Sequence, residues 1–573
     1  MTRSLAIIFL TAVLAVHIAL SAQEAKPETS SIPLPTSKRL TIPTPGRIGA
    51  TNSFPATITL SPDGRYAALL NNGYGTQETM AMQSIAILDL KTNQITEFPD
   101  KRFGEDVHQS YFLGLVFGSD GKHLYASVGS ITDPTGEKPG NTGNGIAVYS
   151  FADGKVTPER FIAVTPQALA AGKKVAVGLR KTAPGTAIPY PAGLALVSAG
   201  GNNKDRLLVA NNLSDNAVLL DITSGKVLER FDLSTSNLVP SSFPYTCVAT
   251  RDGRRAWCSL WNASQVAELD LAGSKVTRWI KVNRLGDVLM PTALPTTRPE
   301  DPLAPGLHPT ALLLSRDERV LYIAVSSGDF VEAVWAATGQ VLGAFTTKAP
   351  AQKYDGSYPT ALVLSSDGMH LLAADSSLNA VAVFETSGLN AELKEGEADL
   401  AQQQATGSAQ PRFRIGTLRP SWSPLGFIPT DWYPSALAVH GDDLIIATAK
   451  GQGTRPNKGP GKTAWEVRHR EHPYIPTLLR GSIARLNIPS TLNKLDELTR
   501  VVEHDNLLNS DPGTVQFAGG KNPIKHVIYV IKENRTYDQI LGDLKSGDKP
   551  VGDGDPSLTM YGTDITPNEH KLA

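Results

Sequence analysis

The chain has 573 residues with 54 Lys and Arg against 55 Asp and Glu, a net charge of −1, so it has no global basic footprint for neutralising nucleic-acid phosphates. Gly (50) and Pro (40) are abundant and charged residues make up only 19%, against roughly 25% on average, which suits a turn-rich β protein and excludes long helical arrays, coiled coils and collagen-like repeats. With 41% apolar residues the chain can bury a large core, and it is longer than one ordinary domain of ~100–200 residues.

The N-terminus has the pattern of a signal peptide over 1–21. Arg3 supplies the positive start, Leu5 to Leu20 is apolar apart from Thr11 and His17, and Ala19-Leu20-Ser21 offers a cleavage site. A periplasmic or secreted protein with no membrane span after signal removal is expected, because the apolar stretch falls short of the ~20 residues a spanning helix needs. Export permits a disulfide. The only cysteines, Cys247 and Cys258, flank Thr250-Arg251-Asp252-Gly253-Arg254. A two-residue Asp252-Gly253 turn would set them opposite one another, whereas a type I turn with a Gly bulge would point them to different faces; the sequence leaves both open.

From there the chain repeats one unit: an aromatic or His usually followed by Pro, an alternating apolar strand, a turn, and a second apolar strand. The openings are Phe54-Pro55, Tyr111-Phe112, Tyr190-Pro191, Phe243-Pro244, His308-Pro309, Tyr358-Pro359 and Tyr433-Pro434. Asp-Gly turns follow at Asp63-Gly64, Asp120-Gly121, Asp252-Gly253 and Asp367-Gly368, where Gly takes a positive φ cheaply; elsewhere they become Asn203-Lys204, Asp317-Glu318 and Asp442-Asp443. Third strands such as Ile85 to Leu90 and Val266 to Leu271, and amphipathic fourth strands such as Gln94 to Phe98 and Val341 to Phe345, complete the units. Four strands per unit, seven times over, predict a mainly β, seven-bladed β-propeller across 39–489. Blade seven ends without a fourth strand of its own, and Arg39-Leu40-Thr41-Ile42 is expected to supply it, removing an exposed edge.

The Ser-Pro-Asp-Gly turns and closing Leu-Asp-Leu or Leu-Asp-Ile strands resemble the YVTN/lactonase-like seven-bladed propellers of exported bacterial proteins. That resemblance implies a fold and is silent on activity and on the propeller's ligand. Within the repeats no Gly-x-Ser-x-Gly elbow occurs, Gly461-Lys462-Thr463 lacks the first glycine of a P-loop, and Arg468-His469-Arg470-Glu471-His472 is not His-Glu-x-x-His. The locally basic stretch from Arg455 to Arg480 and the Ala/Glu/Gln-rich stretch 390–410 are expected to be exposed insertions, the latter with helical tendency.

After Ser482 to Asn487 the pattern changes. Ser490 can cap a helix carrying Leu492, Leu495, Leu498, Val501 and Val502 at helical spacing, in a helix and linker segment over 490–522. The run Val527 to Ile531 has the character of a strand buried on both faces in a parallel α/β sheet, with polar residues presented at its carboxyl end. Glu533-Asn534-Arg535-Thr536-Tyr537-Asp538 resembles the opening of the phosphoesterase family that includes phospholipase C-like and acid phosphatase-like enzymes, in the alkaline phosphatase superfamily. The resemblance implies an opening strand and turn of an α/β phosphoesterase domain over 523–573, with Glu533 and Asn534 as ligands of a divalent metal ion, Arg535 and Asp538 orienting them, and a phosphate-ester substrate. Fewer residues follow Ile531 than the ~100–150 of a compact domain, so most of a catalytic domain is lacking and the chain is expected to be an inactive, monomeric fragment of such a hydrolase. No nucleic-acid partner is expected.

Overall fold

The second and third strands of each repeat are almost wholly buried, as in Tyr66–Asn71 and Ser84–Asp89, because their continuous apolar runs face neighbouring blades on both sides. The structure is a computed structural model that describes residues 29–573 except 77, 105–106, 177–181, 199–204, 290–295, 298–305, 407–417, 455–474, 511–512 and 553. The signal segment 1–21, the Asn203-Lys204 turn and most of the basic stretch from Arg455, including Gly461-Lys462-Thr463, His469 and His472, lie outside the described residues.

Seven antiparallel sheets form a seven-bladed propeller. Blade 1 comprises Pro55–Leu60, Tyr66–Asn71, Ser84–Asp89 and Gln94–Pro99; blades 2 to 5 open with Ser110–Phe117, Pro191–Val197, Pro244–Ala249 and Pro309–Leu314; blade 6 opens with Pro359–Leu364 and blade 7 with Trp432–His440. Each inner strand packs on the next, and that of blade 7 on that of blade 1. Gly64, Gly121, Gly253 and Gly368 all have φ between 64° and 73°, as the Asp-Gly turns require.

Ring closure corrects one expectation. Arg39–Ile42 pairs with Ser30–Pro33 in a separate hairpin, and the outer strand of blade 7 is Arg47–Ala50, paired with Ser482–Asn487. Alternation alone does not separate these neighbouring segments; tertiary partners do. Ile48 packs into the blade 7/blade 1 core, whereas Leu40 joins Ile32, Leu34 and Trp432 in a small cluster. Buried Asp431 then ties the closing strand, accepting from Thr44 Oγ1 (2.5 Å), Arg47 Nε (2.9 Å) and Ser482 Oγ (2.7 Å).

Blade 6 takes its fourth strand, Gly426–Pro429, from beyond an insertion that contains the helix Ser387–Thr406, and Ser421–Trp422 adds a short parallel fifth strand to blade 5. Leu389 and Leu393 bury one face of that helix in the blade 5/blade 6 core, so the insertion is half docked rather than freely exposed. Following Ser482–Asn487, the helical pattern divides into Ile488–Leu492 and Leu495–Asp505, and the N-cap is Asn487, whose Oδ1 accepts from Ser490 N, rather than Ser490. Leu495 and Val502 are buried, and Thr499 Oγ1 accepts from Phe427 N at 2.8 Å on the outer strand of blade 6. The helix thereby covers an edge that would otherwise present unpaired backbone groups.

The expected α/β opening strand is absent. Val527, Ile528, Tyr529, Val530 and Ile531 have no strand partner and are 72–89% exposed, because a two-sided apolar strand needs parallel neighbours on both edges and layers on both faces, and none is present beside it among the described residues.

Candidate functional site

Strand direction alternates within a blade, so the opening residues and the connections between second and third strands lie at one end of the propeller. Most of the longer connections, those following Pro99, Gly129, Ala163, Lys281, Thr346 and Gly451, leave from that end; the opposite end is mostly tight turns apart from the insertion between Glu385 and Gly426 in blade 6. Elaborated loops on one face of a rigid scaffold mark the face that meets ligands.

Backbone geometry at that face is unusual. Phe54, Tyr190, Phe243, His308, Tyr358 and Tyr433 all adopt left-handed φ, between 51° and 67°, and each precedes Pro, which itself disfavours helical conformations. Bulky residues held there cost on the order of 1–3 kcal/mol each and persist only where neighbours over-determine them. The neighbours are visible. Phe243 N donates to Asp215 (3.0 Å), Tyr358 N to Asp329 (3.2 Å) and Tyr433 N to Asn379 (3.0 Å), each acceptor coming from the preceding blade. Asp215, Asp329 and Asn379 are all themselves left-handed.

Immediately after each opening, the pairing of first and second strands slips, in all seven blades. Such bulges re-aim side chains, and here they turn hydroxyls toward the next blade: Thr57 donates to Leu113 O (2.5 Å), Thr246 to Thr310 O, Thr310 to Pro359 O (3.3 Å), Thr360 to Pro434 O (3.4 Å) and Ser435 to Pro55 O. Between blades 2, 3 and 4 Gly takes over, since a Cβ on Gly114 would lie 2.3 Å from Leu194 and one on Gly193 would lie 2.5 Å from Tyr245 O.

This ring encloses an axial cavity of about 500 Å3 that all seven inner strands line, from Phe54, Tyr245, Trp261, Tyr358 and Tyr433 at the elaborated end to aliphatic residues such as Ile58, Leu312 and Leu437. Its volume lies within the ~300–1,000 Å3 usual for small-molecule sites. Around the mouth Trp261 stacks on His308 (3.9 Å, 17°), Phe112 meets Tyr190 edge-on (5.4 Å), Phe54 lies beside Tyr433 (6.1 Å), and Lys450 Nζ sits 4.7 Å from the Tyr433 ring centre and 4.8 Å from that of Trp432. Burial lowers the Lys450 and His308 pKa values and pushes the Tyr245 phenol up to about 12, helped by nearby Tyr358 and Tyr433.

Cys247 and Cys258 are directly opposed on the first two strands of blade 4 and joined as a disulfide, and Cys247 lines the cavity. The loop Arg251 to Arg254 has four residues instead of two, yet it is symmetric about Asp252-Gly253, so the register is that of a two-residue turn. Tyr111, predicted as an opening residue, is instead 2% exposed, its hydroxyl bonded to that of Tyr149, which donates to Asp100 (2.6 Å); without a following Pro, blade 2 sends Phe112 to the mouth instead. Trp261 and Lys450 carry no sequence signal, as they terminate second strands that otherwise look like core, whereas Tyr245 stands out in retrospect, being an aromatic just after a Pro where other units have small residues.

Glu533 and Asn534 lie on an exposed turn in which Asn534 has φ 68°. Arg535 stacks over Tyr561 (4.8 Å), Thr536 forms a capping box with Gln539, and Asp538 accepts from Asp555 N (2.8 Å). Among the described residues no group of three or more His, Cys, Asp or Glu that could hold a metal ion gathers.

No family model matches the chain, and no curated protein matches it. Similar solved structures include the hydrazine synthase of Kuenenia stuttgartiensis (13% identity, TM-score 0.43, covering 70% of this chain and 93% of that one). Others are the periplasmic gluconolactonase PpgL of Pseudomonas aeruginosa (15%, 0.40, 66% and 85%) and a putative 6-phosphogluconolactonase of Bacteroides fragilis (12%, 0.40, 67% and 86%). At these identities and scores they carry nothing about chemistry; the blade count rests on the strand order itself.

Proposed function

We propose that this chain is a binding propeller that takes a small, largely apolar or aromatic ligand into its axial cavity. The observation that carries it is the aromatic mouth: six left-handed opening residues held at one end, over a cavity lined by every blade. Strain of this kind is retained where it serves a site, and a half-dry aromatic rim supplies apolar area with few polar groups to satisfy. Export, read from segment 1–21, is supported by the disulfide, which suits an oxidising compartment. The phosphoesterase reading rests on the resemblance of Glu533 to Asp538, in which Glu533 and Asn534 would contribute two ligands to a divalent metal.

The neutral fluorophore N-phenyl-1-naphthylamine should bind the full chain with one-to-one stoichiometry and brighten. Ala361→Phe, which fills the cavity wall, should abolish this; binding unchanged in that variant would overturn the reading. Hydrolysis of a generic phosphate ester with added divalent metal should be negligible and equal in the protein and in Glu533→Ala, whereas turnover lost on that substitution would favour an enzyme.

A further inference from the structure

Resting on that reading of the cavity, we propose that its ligand carries an anionic group, held at the mouth by the Lys450 ammonium and the phenol hydroxyls of Tyr245, Tyr358 and Tyr433, with its apolar body on the cavity wall. The cavity lining contains no Asp, Glu, Lys, Arg or His, so any charge selection falls to the mouth.

Lys450 differs from the other cations of blade 7. Arg47 pairs with Asp431 (2.9 Å), Arg480 with Glu78 (3.1 Å) and Arg485 with Asp443. Lys450 has no carboxylate partner among the described residues. Its ammonium is instead half-buried on the Trp432 and Tyr433 rings, which fix it without neutralising it. A cation partly stripped of water is costly, and with no carboxylate partner for it among the described residues an incoming anion would restore the lost interaction.

Tyr433 links Lys450 to the cavity. It carries the ammonium on its face and lines the cavity together with Tyr245 and Tyr358. These three phenols come from blades 7, 4 and 6, and their hydroxyls make no hydrogen bond among the described residues. Each is half-buried, and burial keeps Tyr245 and Tyr433 protonated at neutral pH, hence able to donate. These O–H donors at the cavity, with the Lys450 ammonium on the Tyr433 ring, form a donor set that suits a carboxylate, sulfonate or phosphate. An aromatic cage can also take a quaternary cation, but Lys450 would repel one. His308, kept neutral by burial and bonded through Nδ1 to Ser327 Oγ (2.8 Å), adds no competing charge.

The test uses two dyes with one body. 1-Anilinonaphthalene-8-sulfonate differs from N-phenyl-1-naphthylamine by its sulfonate, and both are titrated into the full chain, Lys450→Met, Lys450→Arg and Ala361→Phe. The sulfonate should bind the unmodified protein more tightly than the neutral dye by roughly tenfold or more, about one charge-assisted hydrogen bond. Lys450→Met should erase that advantage by weakening the sulfonate far more than the neutral dye, Lys450→Arg should retain most of it, and Tyr358→Phe should reduce it. Equal binding of the two dyes, or a preference that survives Lys450→Met, overturns the inference while leaving the cavity reading intact if Ala361→Phe still excludes both. Loss of neither dye in Ala361→Phe overturns the cavity reading itself.

Discussion

Glu332 stands in the third strand of blade 5, fully buried, with neither carboxyl oxygen hydrogen-bonded. Burial alone pushes its pKa up to about 8. The folded state therefore keeps a proton that the unfolded chain releases near its ordinary value of about 4.3. Stability from this group is complete below that value and is lost as pH rises toward 8, above which the loss levels off. Glu332→Gln keeps the shape without the ionisation. It should match the unmodified protein in urea midpoint near pH 4 and exceed it at pH 8.5, by up to about 3–5 kcal/mol if the whole shift is expressed. A pH-independent difference would show that the carboxyl is hydrated. Asp375 is a related case. It ends the second strand of blade 6 where Asn71 and Asn211 end those of blades 1 and 3, and its pKa is driven well up by burial and by Asp329. An acid whose proton is held more tightly than usual thus stands where sister blades use an amide.

At the scale of elements, the closing strand depends on one side chain. Asp431 is 2% exposed and holds Thr44, Arg47 and Ser482, from both sides of the chain junction at which the ring closes. Asp431→Ala should remove these bonds, leaving the buried Thr44 hydroxyl without its acceptor and Arg47 without its carboxylate while Ser482 keeps only Thr448 (2.6 Å), costing about 2–4 kcal/mol. Arg47–Ala50 should then become susceptible to limited proteolysis while the other blades stay protected; uniform loss of protection would show that closure is not the local weak point. The replaced expectation is instructive here. Arg39–Ile42 and Arg47–Ala50 both alternate and both precede blade 1, and only the fit of Ile48 against Ile483 and its neighbours, with Asp431 waiting for Arg47, selects the second.

For the whole molecule, the folded unit extends past the last blade strand. Leu495 and Val502 bury against the outer strand of blade 6, each worth about 1.5–3 kcal/mol, and Asp505 reaches the N-terminal hairpin by accepting from Thr41 N (2.7 Å) and Thr41 Oγ1 (2.8 Å). Stopping the chain after residue 489 should expose the Gly426–Pro429 edge and release the hairpin, giving aggregation on purification. Stopping it after residue 510 should leave a soluble protein with an unchanged strand signal in circular dichroism. Equal solubility of the two would mean that the helix is dispensable. Removal of 523–573 should also lower non-specific adhesion, because the exposed run Val527 to Ile531 goes with it.

What the sequence by itself determined is the periodic part: seven openings, the Asp-Gly turns, the apolar second and third strands, and a helical pattern after residue 490. These are local, because a strand's alternation and a turn's need for positive φ act over a few residues and recur in every blade. Only the tertiary structure decided what depends on neighbours distant in sequence. It chose which N-terminal segment closes the ring, left Val527 to Ile531 without a sheet to enter, and sent Tyr111 into the core while Phe112 faced the mouth. It also gathered Tyr245, Tyr358 and Tyr433 around one cavity and set Lys450 against the Tyr433 ring. Propeller symmetry brings together residues at matching positions of different blades, and no spacing along the chain announces that an aromatic in one unit and a lysine in another will share a site. The physical reason is that burial and charge are set by three-dimensional surroundings, whereas strand and turn propensities are set by the chain itself.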